Sequence, residues 1–163
     1  MNFKDLEVYG FKGNIEDVDE TLNFLDNLIN STSQDCIVQL LDAKAIAGKN
    51  HIRHAVNQAI LAFKRNENIA NELSVEICLR TSAQRQISKA FNILGIKKGE
   101  MDLCLVMINC PNDFYDKISD RFIRDDDVLL PDESILQKTY DISQKELQVM
   151  DIQDILIDKI TKI

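Results

Sequence analysis

Lys49, His51, Arg53, Arg80, Arg85 and Lys89 are the side chains of this sequence best suited to hold a phosphate chain. They lie in a window, Asp42 to Lys98, with ten Lys/Arg against four acids, net +6 in a chain whose formal charge is −8. Such a molecule can hold a polyanion on one part and repel it from the remainder. Lys49 and His51 open one helical pattern, Arg85 and Gln86 open another, and Arg80 ends the segment before it. Backbone N–H groups at helix starts, with Lys or Arg beside them, suit phosphate binding. Local pairing with acids or helix capping is the competing use of the same residues. The acidic total argues against a general, sequence-blind nucleic-acid binder.

Other chemistry finds less support. His51 and His54 lie three apart on one helix, close enough to share a face. They are the only two histidines, a third ligand is missing, and the H-E-x-x-H spacing is absent, so no metal is expected. The carboxylates occur as surface runs (Asp17 to Glu20, Asp125 to Asp127), and Ser88 and Ser119 have no motif around them. No nucleophile, acid–base pair or Gly-rich phosphate loop stands out, so neither catalysis nor a cofactor is expected. Cys36, Cys78, Cys104 and Cys110 lack C-x-x-C spacing and read as buried structural thiols.

The elements that must position the basic residues follow from periodicity. Strand patterns cover Leu6 to Phe11, Cys36 to Leu41, Ser74 to Thr81 and Met101 to Asn109. Between them, helices are expected over Glu16 to Asn30, along the stripe Ile52, Ala55, Val56, Ala59, Ile60 and Phe63, and over Ala83 to Leu94. Asn68 to Leu73 reads as a short helical piece, Pro111 to about Arg124 as another helix, and Glu133 to Thr139 as a short one. The expectation is an α/β fold with a mixed sheet of about four strands sandwiched by helices.

At 163 residues, with five glycines and two prolines, the chain fits a single domain spanning 1–163. Its apolar runs are far shorter than a membrane span, and Met1 to Glu7 lacks the apolar stretch of a signal peptide. No membrane association and a cytoplasmic location are expected. The last helix, about 143–162, starts with the capping box Ser143-Gln144-Lys145-Glu146. Its apolar residues spread around most of the cylinder, so it is either packed on all sides or docks a partner. Ile152, Ile155, Leu156 and Ile160 are the partner-binding candidates.

The order Asp42-Ala43, Gly48-Lys49-Asn50-His51-Ile52-x-x-Ala55, Ala59-Ile60-x-Ala62-Phe63, Asn68-Ile69-Ala70, Arg85-Gln86-Ile87-x-x-Ala90-Phe91 and Gly95-Ile96 resembles a known family. It is that of the small KEOPS (EKC) complex subunit that binds the atypical kinase PRPK, the TPRKB family. The match covers roughly Asp42 to Asn109. Thr81-Ser82-Ala83-Gln84 departs from it, standing where a smaller, glycine-containing turn is expected. The resemblance implies a mixed α/β sandwich and a non-catalytic accessory subunit. In such complexes another subunit transfers a threonylcarbamoyl group to the adenosine beside the anticodon of certain tRNAs. The TPRKB-type subunit binds PRPK and helps to hold tRNA by its 3′ single-stranded end. The alternative is a pure interaction module that regulates the kinase subunit without touching RNA.

Overall fold

Two long apolar strands at the centre of the sheet set the fold. In the computed structural model, which describes residues 5–163, β1 (Leu6–Ile15) pairs antiparallel with β3 (Gly99–Ile108) along its whole length. Met1 to Lys4, the start of the segment read for a signal peptide, lie outside the described residues. β2 (Ile37–Asp42) flanks β3, β4 (Ile123–Arg124) flanks β1, and the order is β2-β3-β1-β4. The α/β sandwich with a four-stranded sheet stands, but the sheet expected to be mixed is antiparallel in every pairing. β4 falls at the end of the segment read as a helix from Pro111 to about Arg124.

Alternation along the strands builds a core on each face. Val8, Leu41, Cys104 and Val106 turn toward α2 (Lys49–Lys64) and α3 (Leu73–Ser82), meeting Ile52, Val56 and Ile77. Phe11, Val38, Leu103 and Leu105 turn the other way. They meet Leu25 and Leu28 of α1 (Val18–Asn30) and Phe114 and Ile118 of α5 (Asp113–Ser119). Both faces of β3 are covered, which is why its sequence is nearly continuously apolar.

Ser74 to Thr81, read as a strand, is helical. The reason is burial: Glu76, Ile77, Cys78, Leu79, Arg80, Thr81 and Ser82 of α3 are all buried. A helix enclosed on every side shows no 3.6-residue stripe, and its β-formers mimic a strand. Packing against α2 and α4 (Ile87–Leu94) overrides that local propensity. Residues 68–72 form an irregular connection, and Ile87 rather than Ala83 opens α4. Ala83 itself ends α3 at φ +54°, with Gln84 N–H bonded back to Leu79 O at 3.0 Å. The conformation is the one glycine adopts freely, and holding alanine in it costs about 1 kcal/mol.

The C-terminal segment is two helices. The capping box at Ser143 and Glu146 forms as expected and starts α7 (Gln144–Val149). A second cap interrupts the run: Asp151 accepts from Asp154 N–H at 2.9 Å and opens α8 (Ile152–Thr161). α6 (Glu133–Thr139) forms where expected, and its Leu136 joins Tyr140, Ile142, Ile152, Ile155 and Leu156 in a third apolar cluster. Tyr140 anchors that cluster, donating Oη–H to Ala45 O at 2.7 Å.

Two cysteines differ from the expectation of free thiols. Cys36 and Cys110 are joined in a disulfide, their Cα atoms 4.8 Å apart. Antiparallel pairing of Ile37 with Ile108 brings the start of β2 beside the end of β3, a neighbourhood that a separation of 74 residues conceals. Cys78 and Cys104 are free and buried, and burial pushes their thiols up to about 11 and about 12.

Candidate nucleic-acid interface

Gly48 opens α2 at φ +91°, and a Cβ there would stand 2.8 Å from Gln153 Nε2. Glycine lets α8 approach, so Gln153 Nε2 donates to Ala47 O at 2.8 Å and braces the loop before the helix. No side chain caps α2 at Gly48, and none caps α4 at Gln86. The starts of α3 and α5 are uncapped as well, whereas Asp17, Asp132, Ser143 and Asp151 cap α1, α6, α7 and α8. The two helix openings singled out by their basic residues therefore keep their leading amides uncapped.

His51 is not at that surface. It is fully buried, its Nδ1 accepts Ala47 N–H at 2.9 Å, and its Nε2–H donates to Thr81 O at 2.7 Å. The bonds fix the neutral tautomer and tie the start of α2 to the end of α3. Burial lowers its pKa to about 4. As a direct RNA contact His51 is corrected to a structural staple. Because the folded pKa lies below the ordinary 6.5, the unfolded chain gains a proton between pH 6.5 and 4 that the native chain lacks. Stability is therefore complete above that window and falls by roughly 3 kcal/mol as pH drops through it. His54 contributes in the same direction. His51→Gln, which can still accept and donate, flattens this dependence when urea midpoints are compared at pH 7 and pH 4.5; an unchanged pH slope would contradict it.

Arg80 is corrected too. It is 7% exposed, and its Nε donates to Glu76 Oε2 at 2.9 Å. The other oxygen of Glu76 accepts Ile69 N–H at 2.6 Å and Ala70 N–H at 2.8 Å. Arg80 thus holds, through Nε, the carboxylate that shapes the α2–α3 connection, and little of its side chain reaches the surface.

Lys49, Arg53, Arg85 and Lys89 do reach solvent. Lys49 and Arg53, four apart, are neighbours along one face of α2. Arg85 stands in the α3–α4 turn and donates to the main-chain oxygen of Ile163 at 3.3 Å, while Lys89 lies on α4 one turn further. α8 links the two openings. Thr161 gives its own proton to Ile157 O and accepts His54 Nε2–H at 2.9 Å, so the end of α8 borders α2 as well as Arg85. Among the described residues, Arg53 and Lys89 make no ion pair with a carboxylate side chain.

Lys49 is partly engaged. Its Nζ lies 3.8 Å from Asp126 Oδ2, but that carboxylate already receives Arg124 Nε at 2.8 Å and Nη2 at 2.7 Å, besides Gly10 N–H. Arg124 holds the Asp126 carboxyl down at about 2. Asp126 is thus shared by two cations, with Asp125 and Asp127 beside it. Arg124, stacked 4.5 Å over the Tyr9 ring, lay outside the basic window because Asp125, Asp126 and Asp127 mask it in sequence.

The partner-binding candidates are core. Ile152 and Ile155 are 5% exposed, and Leu156 and Ile160 are fully buried. α8 is enclosed by α2, α3, α6 and α7, which accounts for its apolar surround. The exposed apolar residues at that end are instead Val149 and Met150.

Among the described residues, no three His, Cys, Asp or Glu side chains gather to hold a metal, and no helix is long and apolar enough to cross a membrane. Comparison with known proteins finds a relative in Methanocaldococcus jannaschii, named regulatory protein Cgi121. It is 43% identical over 68 residues, covering 42% of this chain and 43% of the relative. The family described as kinase binding protein CGI-121 matches residues 15–162, nearly the whole described fold, and the chain belongs to that family.

Proposed function

We propose that this chain is a non-catalytic accessory subunit of the KEOPS complex, acting in the cytoplasm. On this reading it docks the PRPK-type kinase subunit and recruits tRNA through the 3′ single-stranded end. The threonylcarbamoyl transfer belongs to another subunit. Membership of a kinase-binding family supports the first role, as does the regulatory name of the relative. The observation that supports the second is the pair of uncapped helix openings flanked by solvent-facing Lys49, Arg53, Arg85 and Lys89. Amide dipoles and solvent-facing cations at two helix starts, one at each end of α8, suit a phosphate backbone, and a free single-stranded end also offers bases for stacking.

The buried ionisable groups support a binding role over catalysis. His51 and Glu76 are engaged in internal hydrogen bonds, and Arg80 gives its Nε–H to Glu76. A second reading, regulation of the kinase without RNA contact, draws on the formal charge of −8 and on the Lys49–Asp126 pair. The Arg53→Glu/Arg85→Glu double variant separates the two. Both side chains are exposed, so folding is retained; tRNA affinity falls at least about 10-fold, and the slope of log K against log salt becomes shallower by roughly 2. Unchanged tRNA affinity in the folded variant would favour the second reading.

A further inference from the structure

An open apolar groove of about 540 Å³ runs along the outer edge of β2, between α1 and α4. Val38 and Leu40 form its floor, Leu22 and Leu25 one wall, Phe91 and Leu94 the other. Leu22 is 43% and Phe91 48% exposed, and Ile87, one turn before Phe91, is 46% exposed. Two of the exposed large apolar side chains thus line one groove, with a third, Ile87, one helical turn from it. The others, among the described residues, stand singly (Ile123, Leu130) or, like Val149 and Met150, line a hollow with Lys145, Glu146, Asp158, Lys159 and Lys162. A concentrated apolar surface of this kind marks an interaction site.

Hydrogen bonding narrows what fits. β2 is an edge strand, paired with β3 on one side only. Every second residue of such a strand turns its N–H and C=O away from its neighbour. Among the described residues, no protein group bonds to those outward amides and carbonyls. Gln39 Oε1 is buried without a partner, although Nε2 of the same side chain donates to Ser74 O at 2.6 Å. The edge is flanked by α1 and α4, but the strand itself, Ile37-Val38-Gln39-Leu40-Leu41-Asp42, contains no lysine, no proline and no bulge.

We infer that this groove receives an extended apolar segment of the kinase-type partner, laid along β2 as an added strand. The inference rests on the kinase-docking part of the function proposed above. A helix in the groove would cover the outward amides of β2 and the Gln39 carbonyl without pairing them, whereas an extended backbone satisfies them. A second folded copy of this chain fits less well. β2 is recessed, with Val38 and Leu40 at 7% and 6% exposure, so facing walls of α1 and α4 would meet before two β2 edges could.

The test uses the full chain and the purified PRPK-type kinase subunit. Phe91→Glu and Leu22→Glu, at exposed positions, keep the wild-type urea midpoint and raise the Kd for the kinase at least about 30-fold. Phe91→Ala gives a smaller rise in the same direction. Val149→Glu, outside the groove, leaves the Kd unchanged. In the wild-type complex the outward amides among Val38 to Leu41 gain protection from hydrogen exchange. Wild-type binding that survives the groove substitutions would overturn the inference, as would lost binding with no new protection in β2. If wild type itself fails to bind the kinase, the kinase-docking reading falls with it.

Discussion

Replacing Ile160 by arginine is expected to abolish the folded state rather than to disrupt a partner surface. Ile160 is fully buried on α8, which packs against α2 and α3. An unpaired guanidinium there must either stay charged without water or force the helix off its neighbours. The cost exceeds about 5 kcal/mol, comparable with the whole stability of a domain this size. Far-UV circular dichroism and urea titration of the variant should show no cooperative native state at 25 °C. Val149→Arg, at a position 83% exposed, should change stability by no more than about 0.5 kcal/mol. A folded Ile160→Arg chain that had lost only its partner would show that α8 is an interface after all.

The second large effect is expected at Glu76. Its carboxylate is buried, yet three donors fill it: the Ile69 and Ala70 amides and Arg80 Nε. Glu76→Ala leaves two amides unpaired and the Arg80 guanidinium buried without its counter-ion. Breaking one side of a buried pair costs 3–5 kcal/mol, of order 10 °C in Tm here. Glu76→Ala/Arg80→Leu should recover part of that loss, because it removes the stranded charge. A single variant within about 1 kcal/mol of wild type would mean that the connection at residues 65–72 rearranges to satisfy itself. The pair also explains why an arginine in a basic window is not a ligand-binding arginine.

Which parts of this molecule were legible beforehand depended on whether one face of an element meets solvent. α1 and α2 carry a clear stripe because each covers the sheet on one side only. β3 read correctly because a doubly covered strand is uniformly apolar along its buried stretch, here Leu103 to Ile108. α3 failed for the converse reason, since enclosure erased its period and left Val75, Ile77 and Thr81 to suggest a strand. The same enclosure made α8 look like a docking helix. For the candidate site, the helix openings and the solvent-facing Lys49, Arg53, Arg85 and Lys89 were legible as charge and position. The burial of His51 and Arg80 was not, because Thr81 and Glu76 become their partners only once α2 and α3 pack. Likewise the groove beside β2 is made by Leu22 and Phe91, 69 residues apart and placed together by the sheet.

The most direct measurement is tRNA affinity for the wild-type chain, taken at fixed salt with an intact transcript and with one lacking its terminal 3′ nucleotides. Capture of the single-stranded end by the two helix openings predicts that truncation weakens binding at least as much as Arg53→Glu/Arg85→Glu does. It also predicts that the double variant loses little further affinity for the truncated RNA. Equal affinity for both transcripts would contradict the account and leave the exposed basic residues without the role assigned to them.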